Sequence, residues 1–266
     1  MNTPADKPPD TAGVTLTLER GLHLLRAFRA ERKPLTNADL MRRTGLSRSS
    51  VSRLVCTLIN LGYLRRAAGG KGLELAMGGL DIGMAYVHAN PVTQRVHPLM
   101  QSLADQLNVN VALAVPDGLD MLYIACRTSA QLATLRLDVG SLLPMGATAI
   151  GRAWLWALPP PQRQDYLQAI ARQAGAQAPA VVQRIGETFN ELDRHGVCIV
   201  MGEYQHNAYG IALPLRVGSG GTLMALNCGA VGQEREPAAI RDRMGAELKR
   251  LAREIQELLR DVDAEP

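Results

Sequence analysis

Two groups of residues in this sequence have the types and spacing to engage a partner chemically. The first is Arg48, Ser49, Ser52 and Arg53. Placed at 100° intervals, residues 48–61 put Val51, Leu54, Val55 and Leu58 on one helical face. The opposite face carries Ser49, Arg53, Cys56 and Asn60, with Ser52 beside it, Arg48 at the exposed start and no acidic residue. Arginines among short hydroxyls can approach phosphates and still reach base edges in a major groove. Arg65, Arg66 and Lys71 follow on a predicted hairpin, where they can lie along a phosphate backbone or remain solvated charges. The second group is Met145, Gly146, Ala147, Thr148, Ala149 and Ile150. Its small residues let the backbone come close to a ligand, and the amides of Ala149 and Ile150 fall in a first helical turn. Unpaired amides at the positive end of a helix suit a carboxylate. The same small residues equally suit close helix–sheet packing, and Arg152 either assists the site or faces solvent.

The elements that must position the first group read as a winged helix-turn-helix. Leu18, Leu22, Leu25 and Phe28 recur at helical spacing and predict an amphipathic first helix. Pro34 breaks the chain, and Thr36 with Asp39 forms a capping box for a short helix over 37–44 that buries Leu40 and Met41. Gly45 supplies the tight turn, because glycine takes positive φ without steric penalty. Ser47 caps the helix over 48–61 and Gly62 ends it. Residues 63–66 and 73–75 read as two strands around a glycine-rich turn, a wing. Residues 15–75 hold twelve Lys/Arg against four Asp/Glu, while the whole chain carries only +4. A basic module on a slightly acidic body points to nucleic-acid contact by the front piece alone.

The remaining composition excludes several classes. At 47% hydrophobic and 20% charged, the 266 residues suit one or two soluble globular domains. No apolar run is long enough for a membrane span. Residues 1–13 are proline- and aspartate-bearing, read as a disordered tail, and lack the apolar stretch of a secretory signal. The four cysteines are scattered, so no zinc site, disulfide framework or cofactor is expected, and reduced thiols fit a cytoplasmic setting. Leu80, Met84 and Val87 predict a linker helix over 79–89, with Gly78 and Gly79 ahead of it as a hinge or an ordinary linker. Beyond Pro91 the order is a helix to about 107, strands over 109–115, 121–126 and 132–137, helices at 148–158, 160–172 and 179–194, strands at 197–201, 208–217 and 221–229, and a long helix over 237–261. That order suits an antiparallel sheet flanked by helices, so the fold class is α+β.

Stretches in both halves of the chain carry a resemblance to a known family. Residues 17–28, 43–54 and 61–64 resemble the opening helix, recognition segment and wing start of the IclR family of bacterial regulators. Residues 140–153, together with Glu203-Tyr204 and 208–215, resemble the two pocket loops of that family's GAF-like effector domain. The family often has an aromatic residue where Ser52 stands, a departure that would change base preference. The resemblance implies a winged helix-turn-helix at 14–77, a linker helix at 78–90 and an effector-binding domain at 91–266. It also implies a double-stranded inverted-repeat operator, a homodimer that can pair into a dimer of dimers, and an effector site including Val200, Gly202, Glu203 and Gly210. Relatives that bind small oxo-acids place an acidic residue and a cysteine where this chain has Val200 and Gly210. That departure implies a larger or less polar organic acid, such as an aromatic or a longer-chain one.

The expected function is therefore ligand-responsive repression of a catabolic operon, with activation on the same architecture as the alternative. An enzyme acting on a small acid is the rival class. The sequence contains no Gly-x-Ser-x-Gly elbow, phosphate loop, dinucleotide-type glycine turn or His-Glu-x-x-His. His195, Glu203 and His206 would have to converge in space to serve as catalytic groups, and His195 equally reads as a helix C-terminal residue suited to the dipole.

Overall fold

The computed structural model describes residues 14–29, 33–132, 137–232 and 236–262. It divides at Ala89/Asn90 into two compact units. The expected tail over 1–13 and most of the expected strand over 132–137 lie outside the described residues.

In the first unit, α1 (Leu16–Arg26), α2 (Asn37–Thr44) and α3 (Arg48–Asn60) pack around Leu24, Leu40, Val51, Val55 and Leu58. The wing is β1 (Leu64–Arg66) paired antiparallel with β2 (Leu73–Leu75), and Leu35 bridges to Leu73 as a short third rung. The caps form as the residue types dictate. Thr36 and Asp39 make a reciprocal capping box, Ser47 Oγ accepts from the Ser50 amide, and Gly45 takes φ 68°. The apolar face of α1 differs from expectation. Leu24 and Phe28 enter the core, whereas Leu18 (62% exposed) and Leu22 (53%) stand in solvent. Gly78 and Gly79 lie inside α4 (Met77–Ala89) rather than ahead of it. A Cβ on Gly78 would stand 3.0 Å from the Gly62 carbonyl oxygen, so a close approach, not a hinge, accounts for that glycine.

In the second unit, α5 (Pro91–Leu107) leads to β3 (Asn110–Asp117) and β4 (Asp120–Thr128), then β5 (Leu142–Pro144) and a 3-10 turn at Met145–Ala147. There follow α6 (Ala149–Trp156), α7 (Pro160–Ala174), α8 (Ala178–His195), β6 (Cys198–Met201), β7 (Ala208–Val217), β8 (Thr222–Val231) and α9 (Pro237–Leu258). The six strands form one antiparallel sheet in the order β5-β4-β3-β8-β7-β6. Side chains alternate across it. Val111, Leu113, Ile211, Leu213 and Leu226 meet Met100, Met244 and Leu248 of α5 and α9 in one core layer. Ala112, Ala114, Ala212 and Ala225 face α6–α8 in the other. The small residues of this second face let α6 lie close to the sheet. At the start of α6 the approach is tighter still, because a Cβ on Gly151 would sit 2.3 Å from Met145 Cα.

Candidate functional site

The exposed face of α3 presents Arg48, Ser49, Ser52 and Arg53 to solvent, and its buried face is Val51, Val55 and Leu58. Ser47, Ser49 and Ser50 share hydroxyl contacts of 3.0–3.1 Å at the helix start. Ser52, Cys56 and Asn60 form one wall of an open groove, and Arg66 with Leu73 of the wing forms another. The helix and the wing thus face one concave surface, in which polar groups and a guanidinium stand ready for phosphate and base edges. Lys71 is exposed at the wing's turn. Arg65 is differently placed. It lies opposite Glu74 across the hairpin and pairs with it at 3.0 Å, so part of its charge is met within the wing.

The second site lies on the α6 face of the sheet. A small cavity of about 60 Å³ is lined there by Ala147, Thr148, Ala149 and Ile150 from the start of α6, and by Val200, Gly202, Glu203 and Gly210 from β6, β7 and their connection. Thr148 Oγ accepts from the Gly151 amide, leaving those of Ala149 and Ile150 as first-turn donors without intrahelical acceptors. The helix lies close above Gly210: a Cβ there would be in van der Waals contact with the Ala149 Cβ at 3.7 Å. Met145 and Gly146 do not line the cavity. Met145 is fully buried in the core under α6, and a Cβ on Gly146 would collide with Ile170 at 2.9 Å.

Arg152 neither faces solvent nor lines the cavity. It is 2% exposed. Its guanidinium donates to the Gly146 carbonyl at 2.8 and 3.0 Å, to Thr188 Oγ at 3.0 Å and to Glu203 Oε2 at 2.6 Å. Arg184 donates to the same Glu203 oxygen at 2.9 Å. Two guanidiniums therefore meet the one carboxylate on the cavity wall, which removes much of its repulsion toward an incoming anion.

Sequence reasoning missed Tyr123 and Asn227, both on the cavity wall and nearly fully buried. The Tyr123 hydroxyl donates to Asn227 Oδ1 at 3.3 Å, and burial pushes its pKa far above the usual phenol range, so it stays a neutral donor. The available signal was a lone amide in the apolar run Met224-Ala-Leu-Asn-Cys228: a polar group in a buried strand needs a partner. Among the described residues no cluster suits a metal ion, and no helix is long and apolar enough to cross a membrane.

Residues 17–68 match the family described as IclR helix-turn-helix domain, and residues 84–257 match Bacterial transcriptional regulator IclR C-terminal. The chain is 31% identical over 213 residues to the Pca regulon regulatory protein of Pseudomonas putida, covering 79% of this chain and 72% of that one. The crystal structure of an IclR family transcriptional regulator from Brucella abortus superposes with a TM-score of 0.86 at 30% identity, over 97% of this chain and 98% of that one. An IclR homolog from Microbacterium hydrocarbonoxydans, complexed with 4-hydroxybenzoate, shares the fold with a TM-score of 0.67 at 22% identity, over 91% of this chain and 98% of that one.

Proposed function

The chain belongs to the IclR family of bacterial transcriptional regulators, and from that premise we propose that it is an effector-responsive repressor. In this reading α3 and the wing hold an inverted-repeat operator, with Arg48, Ser49, Ser52 and Arg53 reading bases and Arg66 and Lys71 on phosphates. The cavity under α6 takes a small organic acid. One observation carries the effector half: Ala149 and Ile150, whose amides lie in the first turn of α6, line a cavity whose floor at Gly210 has no side chain. Apolar walls with a few placed polar groups are the lining that a small-molecule site has. Val200 and Gly210 supply no charge, so an aromatic acid fits better than a compact oxo-acid. The carboxylate would rest on the two amides and the ring beside Val200 and Gly210.

The first unit's surface supports a homodimer. The 13-residue helix α4 buries no residue, and Met77, Leu80, Ile82, Met84 and Tyr86 stand exposed along it, as do Leu18 and Leu22 on α1. So much exposed apolar side chain calls for a covering surface, here a second copy.

The test is operator affinity as an aromatic acid, 4-hydroxybenzoate as the probe, is titrated in. The free wild type should bind the operator and lose affinity as ligand is added. Ala149→Pro removes an amide donor and should blunt the response while sparing operator binding by the free protein. Gly210→Phe fills the cavity and should abolish ligand binding or mimic it. A wild-type response in both variants would move the effector site elsewhere. Affinity that holds while transcription rises with ligand would make the protein an activator.

A further inference from the structure

The start of α6 and the strand floor converge on one point. A Cβ on Gly210 would lie 3.7 Å from the Ala149 Cβ and 3.8 Å from Asn227 Nδ2. Asn227 stands on β8 and shares the α6 face with Ala225, two residues before it. Its neighbours across the sheet are Ala212 and Ala112, whose side chains have nothing to bond it with.

Asn227 is 5% exposed, and it lines the cavity. Its Oδ1 accepts from the Tyr123 hydroxyl at 3.3 Å. Its Nδ2 donates to no group among the described residues, yet it is not sealed in. The enclosed side-chain atoms without partners are His97 Nε2, Asn110 Oδ1 and Arg241 Nε among those residues, and Asn227 Nδ2 is not one of them. A donor so placed finds its partner only in what enters the cavity.

The orientation of the amide is what makes it a donor. The two ends of an asparagine amide are alike in shape and opposite in hydrogen bonding. Burial keeps the Tyr123 hydroxyl protonated, so it has a hydrogen to give, and Asn227 turns its oxygen to receive it. The other end, with both its hydrogens, is left toward Gly210 and the start of α6.

We propose that Asn227 donates to the effector's carboxylate as a third donor beside the amides of Ala149 and Ile150, and that Tyr123 is the positioning residue that holds the Asn227 nitrogen toward the cavity. This deepens the effector reading above and rests on it. A carboxylate offers two oxygens to such donors, whereas a carboxamide must turn its own NH2 group toward one of them. The seat therefore takes the anion and rejects its neutral amide.

Direct binding of benzoate and benzamide, which are alike in shape, to the full chain tests it. Wild type should hold benzoate roughly tenfold tighter or more, because hydrogen bonds to a charged group are the strong ones. Asn227→Asp keeps the shape and exchanges the donor for an acceptor. It should reverse the preference, so that benzamide binds roughly threefold tighter than benzoate or more. Tyr123→Phe removes one oxygen and frees the amide to turn. It should narrow the wild-type preference by roughly threefold, with benzoate still bound. Each readout is a ratio of two ligands on one variant, which a general loss of stability does not move. A wild-type preference kept by Asn227→Asp takes Asn227 off the carboxylate and overturns the assignment. If that variant does not fold, Asn227→Ala decides instead: its preference should fall by roughly threefold, and an undiminished one overturns the assignment. An unchanged preference in Tyr123→Phe overturns the role given to Tyr123. In all these cases benzoate bound by wild type and blocked by Gly210→Phe leaves the effector reading standing. If wild type binds neither ligand, that reading falls and this inference with it.

Discussion

The surface formed by α3 and the wing draws on residues 48–74, while the cavity under α6 draws on residues from Tyr123 to Gly229. The first is an exposed set of polar side chains set on one helix and one hairpin. Its residues need only a regular backbone beneath them, and most are not bonded to one another. The second is a gap left by small residues between a helix and a sheet, ringed by groups that hold each other: Arg152 with Glu203, Tyr123 with Asn227, Thr148 with Gly151. A binding face on a regular element tolerates substitution of its side chains, because removing one leaves its scaffold intact. A cavity of this kind depends on backbone approach, so the residues that make it are mainly those that lack a side chain.

Substitutions can set the two regions against each other. The largest effect is expected at Gly151, where an added methyl would overlap the backbone of Met145 at 2.3–2.8 Å. Gly151→Ala should destabilise the second unit by about 3 kcal/mol or more, since backbone cannot step aside as a side-chain tip can. Gly186, also inside a helix, has nothing within 4 Å of its would-be Cβ. Gly186→Ala should leave stability unchanged or raise it by up to about 1 kcal/mol. Denaturant melts of the two variants decide the matter, and equal effects would remove close packing as the reason for Gly151.

On the other region, Arg53→Ala should weaken specific operator binding by roughly 1–3 kcal/mol with no change in melting. An unchanged operator affinity would take α3 out of the groove. The smallest effect concerns a helix start rather than a binding group. The Thr36 hydroxyl and amide, then Arg42, hold the Asp39 carboxyl down at about 2, against its ordinary 3.8. A depressed carboxyl stabilises the fold above its unfolded value and loses that contribution as pH falls from 3.8 toward 2. A carboxyl titration followed by NMR should therefore show Asp39 protonating near 2, and Thr36→Ala should move its midpoint upward toward 3.8. An unmoved midpoint would assign the depression to the residue-36 amide and Arg42 instead.

The sequence by itself determined the helix-turn-helix, the order of helices and strands in the second unit, and the two loops that flank the cavity. These are local properties: caps such as Thr36 and Ser47 and the turn at Gly45 act within a few residues, and periodicity separates a core face from a solvent face. The split of α1 was not local, because Leu18 and Leu24 look alike along the helix and only the position of α3 buries the second. Nor was β5, three residues long and ordered by its pairing with β4. Arg152 read as assistant or bystander, and the fold instead made it a buried brace between the 3-10 turn, α8 and the β6–β7 connection. The cavity floor was least legible of all. Gly210 and Gly229 become neighbours only through the register of β7 and β8, and Tyr123 meets Asn227 across 104 positions of chain. Which side chain stands beside which gap is set by long-range strand pairing, and one sequence displays the period of each strand but not its register with the others.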